Sequence, residues 1–383
     1  MTSSSSKLPW HPIPASPGAA TCNVHLLQAG GLMIPYSRVL LPGPKQASHT
    51  LAADHGPSRD ERYYAPDYCF LIEHTPTGTH YVFDLGMRED LESLPPLIKK
   101  HTLPVFTPHP KSPADILKRH GSPEQQPEKV KAVLFSHVHF DHVGDGAKAG
   151  FANAELWVGP TTCTYARPGY PDFEGAPLLS EDFPTDGSRK IVEAYVSDER
   201  LGEDRDGRVG KVAQGKKEGK YEAVELRDVG DAGWIRLGSF DRAFDVFGDG
   251  SAYVIDAPGH SPGHQMLLVR TTTSALSDLS ASSSDEDSFV LLAGDCYHHP
   301  DLLIDPERTA RPPYSKGSMH ADPEVAVETI HRTQAFAHRD NVWVMAAHDF
   351  SVGEALRKGE KVIEGLILIN DWRGKKQKPG AHL

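Results

Sequence analysis

Cysteine is scarce in this chain: four in 383 residues, Cys22, Cys69, Cys163 and Cys296, widely spaced and with no CxxC pair. That argues against a disulfide framework or a zinc ribbon as the basis of the fold. Apolar runs of membrane-spanning length are missing, and the N-terminal MTSSSSKLPWHPIPASPG lacks the apolar core of a signal peptide. A soluble, cytoplasmic protein with no membrane partner is therefore the expectation. Positive charge is in deficit, with 40 Lys plus Arg against 52 Asp plus Glu and a formal balance of −12. Such a surface repels polyphosphate, which argues against a nucleic-acid partner and favours a small neutral or weakly charged substrate. Glycine-rich phosphate cradles are absent: Gly30 and Gly31 stand alone and mark a bend between strands. No repeat at solenoid periods is found.

What the chain does have is histidine, 21 residues of it. The length allows one elaborated catalytic domain. Residues 1–20 read as a flexible arm and residues 21–383 as a single domain. An insertion at 166–233, dominated by Gly, Pro and charge, interrupts it, as does a low-complexity acidic loop at 273–288, TSALSDLSASSSDEDS. DYCFLIEH and THYVFDLG flank a TPTG turn and predict a hairpin. SPADILKRHG predicts a helix starting at Ser112 or Asp115, and DPEVAVETIHRTQAFAHR has helical spacing at Val325, Ile330 and Phe336. Strands alternating with helices indicate a layered α/β sandwich.

Position identifies the histidines that matter. VKAVLF runs into SHVHFDH, SAYVIDA into PGHSPGH, FVLLAG into DCYHH and NVWVMAA into HDF. Strand ends on one edge of a sheet converge, so ligands distant in sequence can form one cluster there. His137 and His139 are two apart, and Asp141 and His142 are adjacent and on the next turn. Imidazole suits zinc, and a carboxylate completes a site that keeps a position open for water. Two ligand groups so close together imply two metals and a bridging carboxylate, for which Asp295 is the candidate.

HVHFDH resembles the HxHxDH signature of the metallo-β-lactamase superfamily, and PGHSPGH, GD and AHD resemble its later ligand motifs in the same order, over roughly residues 22–350. The resemblance implies an αββα sandwich, two mixed β-sheets face to face with helices outside and the metals on one edge. It implies two zinc ions, the first on His137, His139 and His264, the second on Asp141, His142 and His348, with Asp295 bridging. His260 then supports a ligand rather than binding metal. His139 in place of a glutamate argues against the di-iron branch, and His142 in place of Arg or Ser against the classical β-lactamases.

The chemistry implied is hydrolysis by a zinc-bridging hydroxide with Asp141 at the reacting centre. The layout resembles quorum-sensing lactonases and the fungal hydrolases that open lactams or lactones, such as benzoxazolinone-type plant defence compounds. The expected activity is thus ring opening of a small cyclic amide or ester, a detoxification. A carrier-protein thioesterase of polyketide biosynthesis is the alternative; it would need a basic docking face, for which only GKVAQGKKEGK (210–220) is a candidate. A non-catalytic binding module fits less well, because all seven ligand positions are filled. Lactonases of the family carry a substrate-contacting tyrosine three residues beyond the bridging aspartate. That position is His298 here, with Tyr297 one earlier, and alternation should send only one of the two toward substrate. Alternation also turns Cys296 away as an inert thiol. Oligomeric state stays open.

Overall fold

The computed structural model describes residues 8–42, 61–145, 150–194, 226–227, 233–274, 286–357 and 362–379. The basic stretch 210–220, most of the second half of the 166–233 insertion and residues 275–285 of the acidic loop lie outside these. The first sheet contains β1 (Cys22–Pro35), β2 (Arg62–His74), β3 (Thr79–Phe83), β4 (Thr107–Pro110), β5 (Val130–Leu134), β6 (Glu155–Val158), β7 (Ile191–Ala194) and β8 (Leu226–Arg227). The second contains β9 (Ile235–Leu237), β10 (Phe240–Asp245), β11 (Ala252–Asp256), β12 (Gln265–Thr272), β13 (Ser288–Leu292) and β14 (Val342–Met345), after which β15 (Ile367–Leu368) returns to the first. The orders are β15-β1-β2-β3-β5-β6-β7-β8, with β4 also on β1, and β14-β13-β12-β11-β10-β9. Both sheets are mixed: β3, β5, β6, β7 and β8 pair in parallel in the first, and β13 with β14 in the second.

The β2–β3 hairpin forms as expected, with His74 opposite Thr79. Alternation along β2 explains why its sequence is a continuous apolar run. Phe70 and Ile72 point between the sheets onto Val254, Leu267 and Val290, while Leu71 points outward to Leu117 of the helix Pro113–His120. A strand covered on both faces has no polar side to alternate with. That helix starts at Ser112, whose hydroxyl accepts from the Asp115 amide at 3.3 Å. The helix Pro323–Ala337, capped by Asp322, covers the outside of the second sheet with Ile330 and Phe336 fully buried. Helices therefore lie outside two facing sheets, the expected αββα sandwich.

The described part of the N-terminal arm departs from expectation. His11 pairs with Gly238, Trp10 packs edge-on against Phe336 at 4.8 Å, and the Ser16 hydroxyl donates to the Asp249 carbonyl at 2.8 Å. Polarity and proline content suggested flexibility, but burial of Trp10 and Ile13 against the core ties residues 8–20 down. No helix among the described residues is long and apolar enough to cross a membrane.

Candidate metal centre

The four strand ends meet on one edge. β5 leaves its sheet through Phe135, whose amide still donates to the Trp157 carbonyl at 2.9 Å, so the departure of the next residues is fixed. β3 lies parallel beside it with Phe83 opposite Leu134, which sets Asp84 level with the exit. Asp84 adopts φ +62°, a conformation non-glycine residues hold only where surroundings impose it. Its carboxylate accepts from the Ser136 amide and hydroxyl, both at 2.7 Å, and lies 2.9 Å from His142 Nδ1. Sequence reading gave Asp84 no role. The signal was present, a carboxylate one place beyond an apolar strand, the same signal that identified Asp295.

Two groups of side chains that share Asp295 result, and a third, His260, His298 and His320, adjoins the first. In the first, His137 Nε2, His139 Nδ1 and His260 Nε2 approach one another at 2.9–3.1 Å, and Asp295 Oδ2 lies 3.8 Å from His137 and 3.5 Å from His260. In the second, Asp295 Oδ1 lies 3.1 Å from His142 Nε2 and 3.3 Å from His348 Nε2, and Asp141 Oδ2 is 3.6 Å from the same His348 atom. Each Asp295 oxygen thus faces one group, and the potential ligand atoms of each group lie within 4.8 Å of one another.

The first group corrects one expectation: His260, not His264, stands with His137 and His139. The excursion Ala257–His264 closes on itself, since the Ala257 amide donates to the His264 carbonyl at 3.1 Å. His260 sits at the tip, beyond the sheet edge, whereas His264 seals the base as the chain re-enters β12. Both His264 nitrogens are occupied: Nδ1 donates to the Ala257 carbonyl at 2.8 Å and Nε2 accepts from the Asp295 amide at 3.2 Å. Burial first of all lowers its pKa, to about 4. The tip depends on Gly259 at φ +115°, where a side chain would strike the Ala326 amide nitrogen.

These donors fit metal ions. Three imidazole nitrogens converging on one point cannot all donate there, and His142 Nε2, His348 Nε2 and Asp295 Oδ1 are buried without an aligned hydrogen bond. Meanwhile the outward ring nitrogens are held: His137 Nδ1 by Ser136 Oγ at 3.0 Å, His142 Nδ1 by Asp84, His348 Nδ1 by the Pro66 carbonyl at 2.7 Å, and His260 Nδ1 by His320 Nδ1 at 3.2 Å. Fixing the outer nitrogen orients the inner one, as metal-binding histidines require. His320, unassigned from sequence, is brought here because the amides of Ala321 and Asp322 donate to the carbonyls of His260 and Gly259.

Electrostatics divide the two groups. Burial depresses the imidazolium forms of His137, His139 and His260, and their mutual proximity adds to it for His137 and His260. Burial opposes charge on His142 and His348 as well, but Asp295 with Asp84, and Asp295 with Asp141, outweigh it and hold both well above the usual value. Burial works against ionisation of Asp295, yet His142, His348 and His298 keep it well below the carboxylate range. Asp67, buried with neither oxygen hydrogen-bonded, is pushed up by that burial to about 8 despite the pull of His142 and His348.

Of the two residues after Cys296, the structure turns one to each side. Tyr297 is fully buried in the core and donates to Asp349 Oδ2 at 2.9 Å. The expectation of Tyr297 as a substrate contact is thereby corrected: the turn that follows β13 sends it inward, where Asp349 satisfies its hydroxyl. His298 lines the cavity, with Nε2 3.1 Å from Asp295 Oδ2 and its main-chain carbonyl held by the Tyr63 hydroxyl at 2.7 Å. Cys296 is buried against Thr333 and its thiol is pushed up to about 12, as befits an inert side chain. The cavity encloses about 350 Å³, with Asp141, His139, His260, Asp295 and His298 on its floor and Leu32, Ile98, Val105, Phe106, Phe140 and Met319 among its walls.

Comparison with known proteins bears on this geometry. The family model described as the metallo-beta-lactamase superfamily matches residues 65–208. A protein of Penicillium roqueforti named as a monooxygenase, mpaDE, is 33% identical over 81% of this chain but 32% of its own length, so the chain spans about a third of the first relatives it matches. Metallo-hydrolase mfmC of Annulohypoxylon moriforme is 30% identical over 79% of this chain and 74% of its own length. Gamma-lactamase MBL2 of Gibberella moniliformis is 33% identical over 57% and 70% respectively. Among solved structures, a B. thuringiensis AiiA mutant with N-decanoyl-L-homoserine bound at its active site superposes with a TM-score of 0.52 at 18% identity, covering 91% of this chain and 99% of that one, a likeness of fold.

Proposed function

The chain belongs to the metallo-β-lactamase superfamily, and on that premise we propose that it is a dinuclear zinc hydrolase opening a small cyclic amide or ester. The observation that carries this reading is Asp295, lying between two histidine groups at the floor of a partly open cavity. His137, His139 and His260 would hold one ion, Asp141, His142 and His348 the other, and Asp295 both. Bound there, two zinc ions would lower the pKa of a shared water toward neutrality and polarise a carbonyl.

The chain's own residues supply the rest. Asp84, Ser136, the Pro66 carbonyl and His320 fix ring orientations, so ligands need little rearrangement. His298, beside Asp295 and in the cavity lining, would donate a hydrogen bond to the oxygen that gains charge as the ring carbonyl is attacked. The apolar walls would cover the hydrocarbon of a small ring substrate. A volume of about 350 Å³ is near the lower end for small-molecule sites, roughly 300–1,000 Å³. The name of the gamma-lactamase relative supports a lactam, and a benzoxazolinone is the first compound to try.

The test is turnover by the zinc-loaded protein of a panel of benzoxazolinones, other lactams, lactones and linear acyl thioesters, followed by chromatography. Ring substrates should be opened with the higher kcat/KM, at close to two metals per chain. Faster cleavage of linear thioesters would replace this reading with the carrier-protein thioesterase, and full activity at one metal per chain would remove the dinuclear arrangement.

A further inference from the structure

The polar lining of the cavity is unequal. Its carboxylates, Asp141 and Asp295, both belong to the candidate metal groups, as do His139 and His260, and His298 lies against Asp295. Arg38 belongs to none of these. It sits in the single-turn helix Tyr36–Val39 that follows β1, with Val39 buried as the anchor and Arg38 exposed at the cavity wall.

Neighbouring arginines are committed to the protein. Arg62 donates to the carbonyls of Met33 and Val105, Arg308 to Asp301, and Arg311 to Glu307 and Glu324. Arg38 makes no hydrogen bond or ion pair with the described residues. Among the described residues, a chain with 52 acidic residues against 40 basic ones thus sets no counter-charge against this guanidinium at the cavity. No carboxylate of the lining is left over to neutralise it. His101, at the end of the helix Pro96–His101, is the other basic side chain of the lining outside the metal floor. The same lining includes Leu32, Ile98 and Phe106, a surface that would cover hydrocarbon.

We propose that Arg38 is a specificity-determining residue that binds a carboxylate carried by the substrate at the end remote from the ring, so that the substrate is an acid-bearing lactone or lactam. The inference rests on the ring-opening reading and names its substrate class. A guanidinium presents two parallel N–H donors matched to a carboxylate, an arrangement an ammonium cannot reproduce. The hydrocarbon between acid and ring would lie along the apolar wall while the ring carbonyl reaches the floor. Discrimination of about tenfold is expected for one charge-assisted contact at a partly open site.

The experiment pairs N-hexanoyl- and N-adipoyl-homoserine lactone, of equal chain length and differing by a terminal carboxylate, with shorter and longer diacid homologues to find the best reach. The readout is the ratio of kcat/KM, acid over neutral, for wild type, Arg38→Ala, Arg38→Lys and Arg38→Glu, all zinc-loaded. Wild type should favour the acid-bearing member by about tenfold. The ratio should collapse toward one in Arg38→Ala through KM, recover partly in Arg38→Lys, invert in Arg38→Glu, and shrink in wild type as salt rises. A wild-type ratio of one, or a ratio that Arg38→Ala leaves intact, overturns the proposal while ring opening itself stands. If neither lactone is opened, the ring-opening reading fails for this class, and calorimetric titration of the two ring-opened acids into the zinc-loaded protein decides Arg38 separately. Tighter binding of the adipoyl compound, lost in Arg38→Ala, supports it; equal binding refutes it.

Discussion

The two halves of the candidate metal centre are made of different charge. The first offers three imidazoles whose protons burial has already driven off, with a share in one carboxylate. The second offers two imidazoles whose protonated form Asp295, Asp84 and Asp141 favour, raising their pKa well above the usual value. One half favours neutral nitrogens, and the other favours protons where a cation would sit. Cations at the second half must displace those protons, so the two halves should differ in the order and pH dependence of loading.

The largest effect should come from removing what the halves share. Asp295→Ala should bring metal content from near two per chain to near zero and abolish turnover, since each carboxylate oxygen faces one group. Retention of one full equivalent would show that the halves are independent. Next, the two histidines of PGHSPGH separate metal binding from support. His260→Ala should empty the first half, whereas His264→Ala should keep both metals with about 10- to 100-fold weaker affinity or activity. The reverse ranking, read by elemental analysis after dialysis, would return the ligand role to His264.

A smaller contrast lies in the neighbours Tyr297 and His298. With metal retained, His298→Ala should lower kcat by about 10²- to 10³-fold if it stabilises developing charge. Tyr297→Phe should leave kcat near wild type and cost about 1–3 kcal/mol of stability, because it orphans a buried carboxylate oxygen. Equal kcat in both variants would leave the oxyanion to the metals alone.

The mildest test is pH. For His142 and His348 the folded pKa lies above the unfolded value of about 6.5. Their contribution to metal-free stability is therefore fully present below that value and lost as pH rises through the folded pKa. Metal affinity of the second half should rise with pH over the same range, by about tenfold per unit for each proton displaced. That of the first should be flat near neutrality, because its imidazoles are neutral there. Competition with a chelator at several pH values measures both, and equal slopes would erase the distinction.

Much of the centre was legible in the sequence because strand ends are legible: an apolar run followed by His or Asp marks a residue at a sheet edge, and four such places can share one edge. The hairpin, the Ser112 cap and the spacing of Val325, Ile330 and Phe336 were legible for a similar reason, since local periodicity and capping depend on neighbours in the chain. His264 was expected as a ligand because the resemblance put that role on the second of the two histidines of PGHSPGH. Only the closure of the Ala257–His264 loop, with His264 bonded at its base, distinguishes them. The arm at residues 8–20 was misread because a polar segment with one Trp gives no sign of the groove that receives it.

The sequence by itself pointed to a layered α/β sandwich and to the edge where its histidines and aspartates gather, and the expected ligand set came with the resemblance to the metallo-β-lactamase superfamily. The first two follow from side-chain polarity along single strands, and the resemblance rests on HVHFDH and the later motifs in order. Tertiary structure alone decided which residues orient those ligands and what faces the cavity. Asp84, His320 and the Pro66 carbonyl reach the centre from separate elements, and Arg38 reaches the cavity wall from beyond β1. Contacts between residues far apart in sequence depend on how two sheets twist and close, and no local pattern encodes that. The adjacent pair Tyr297 and His298 shows the boundary between the two kinds of information. Alternation said that they must part, and only packing of the phenol against Asp349 fixed which one turned inward.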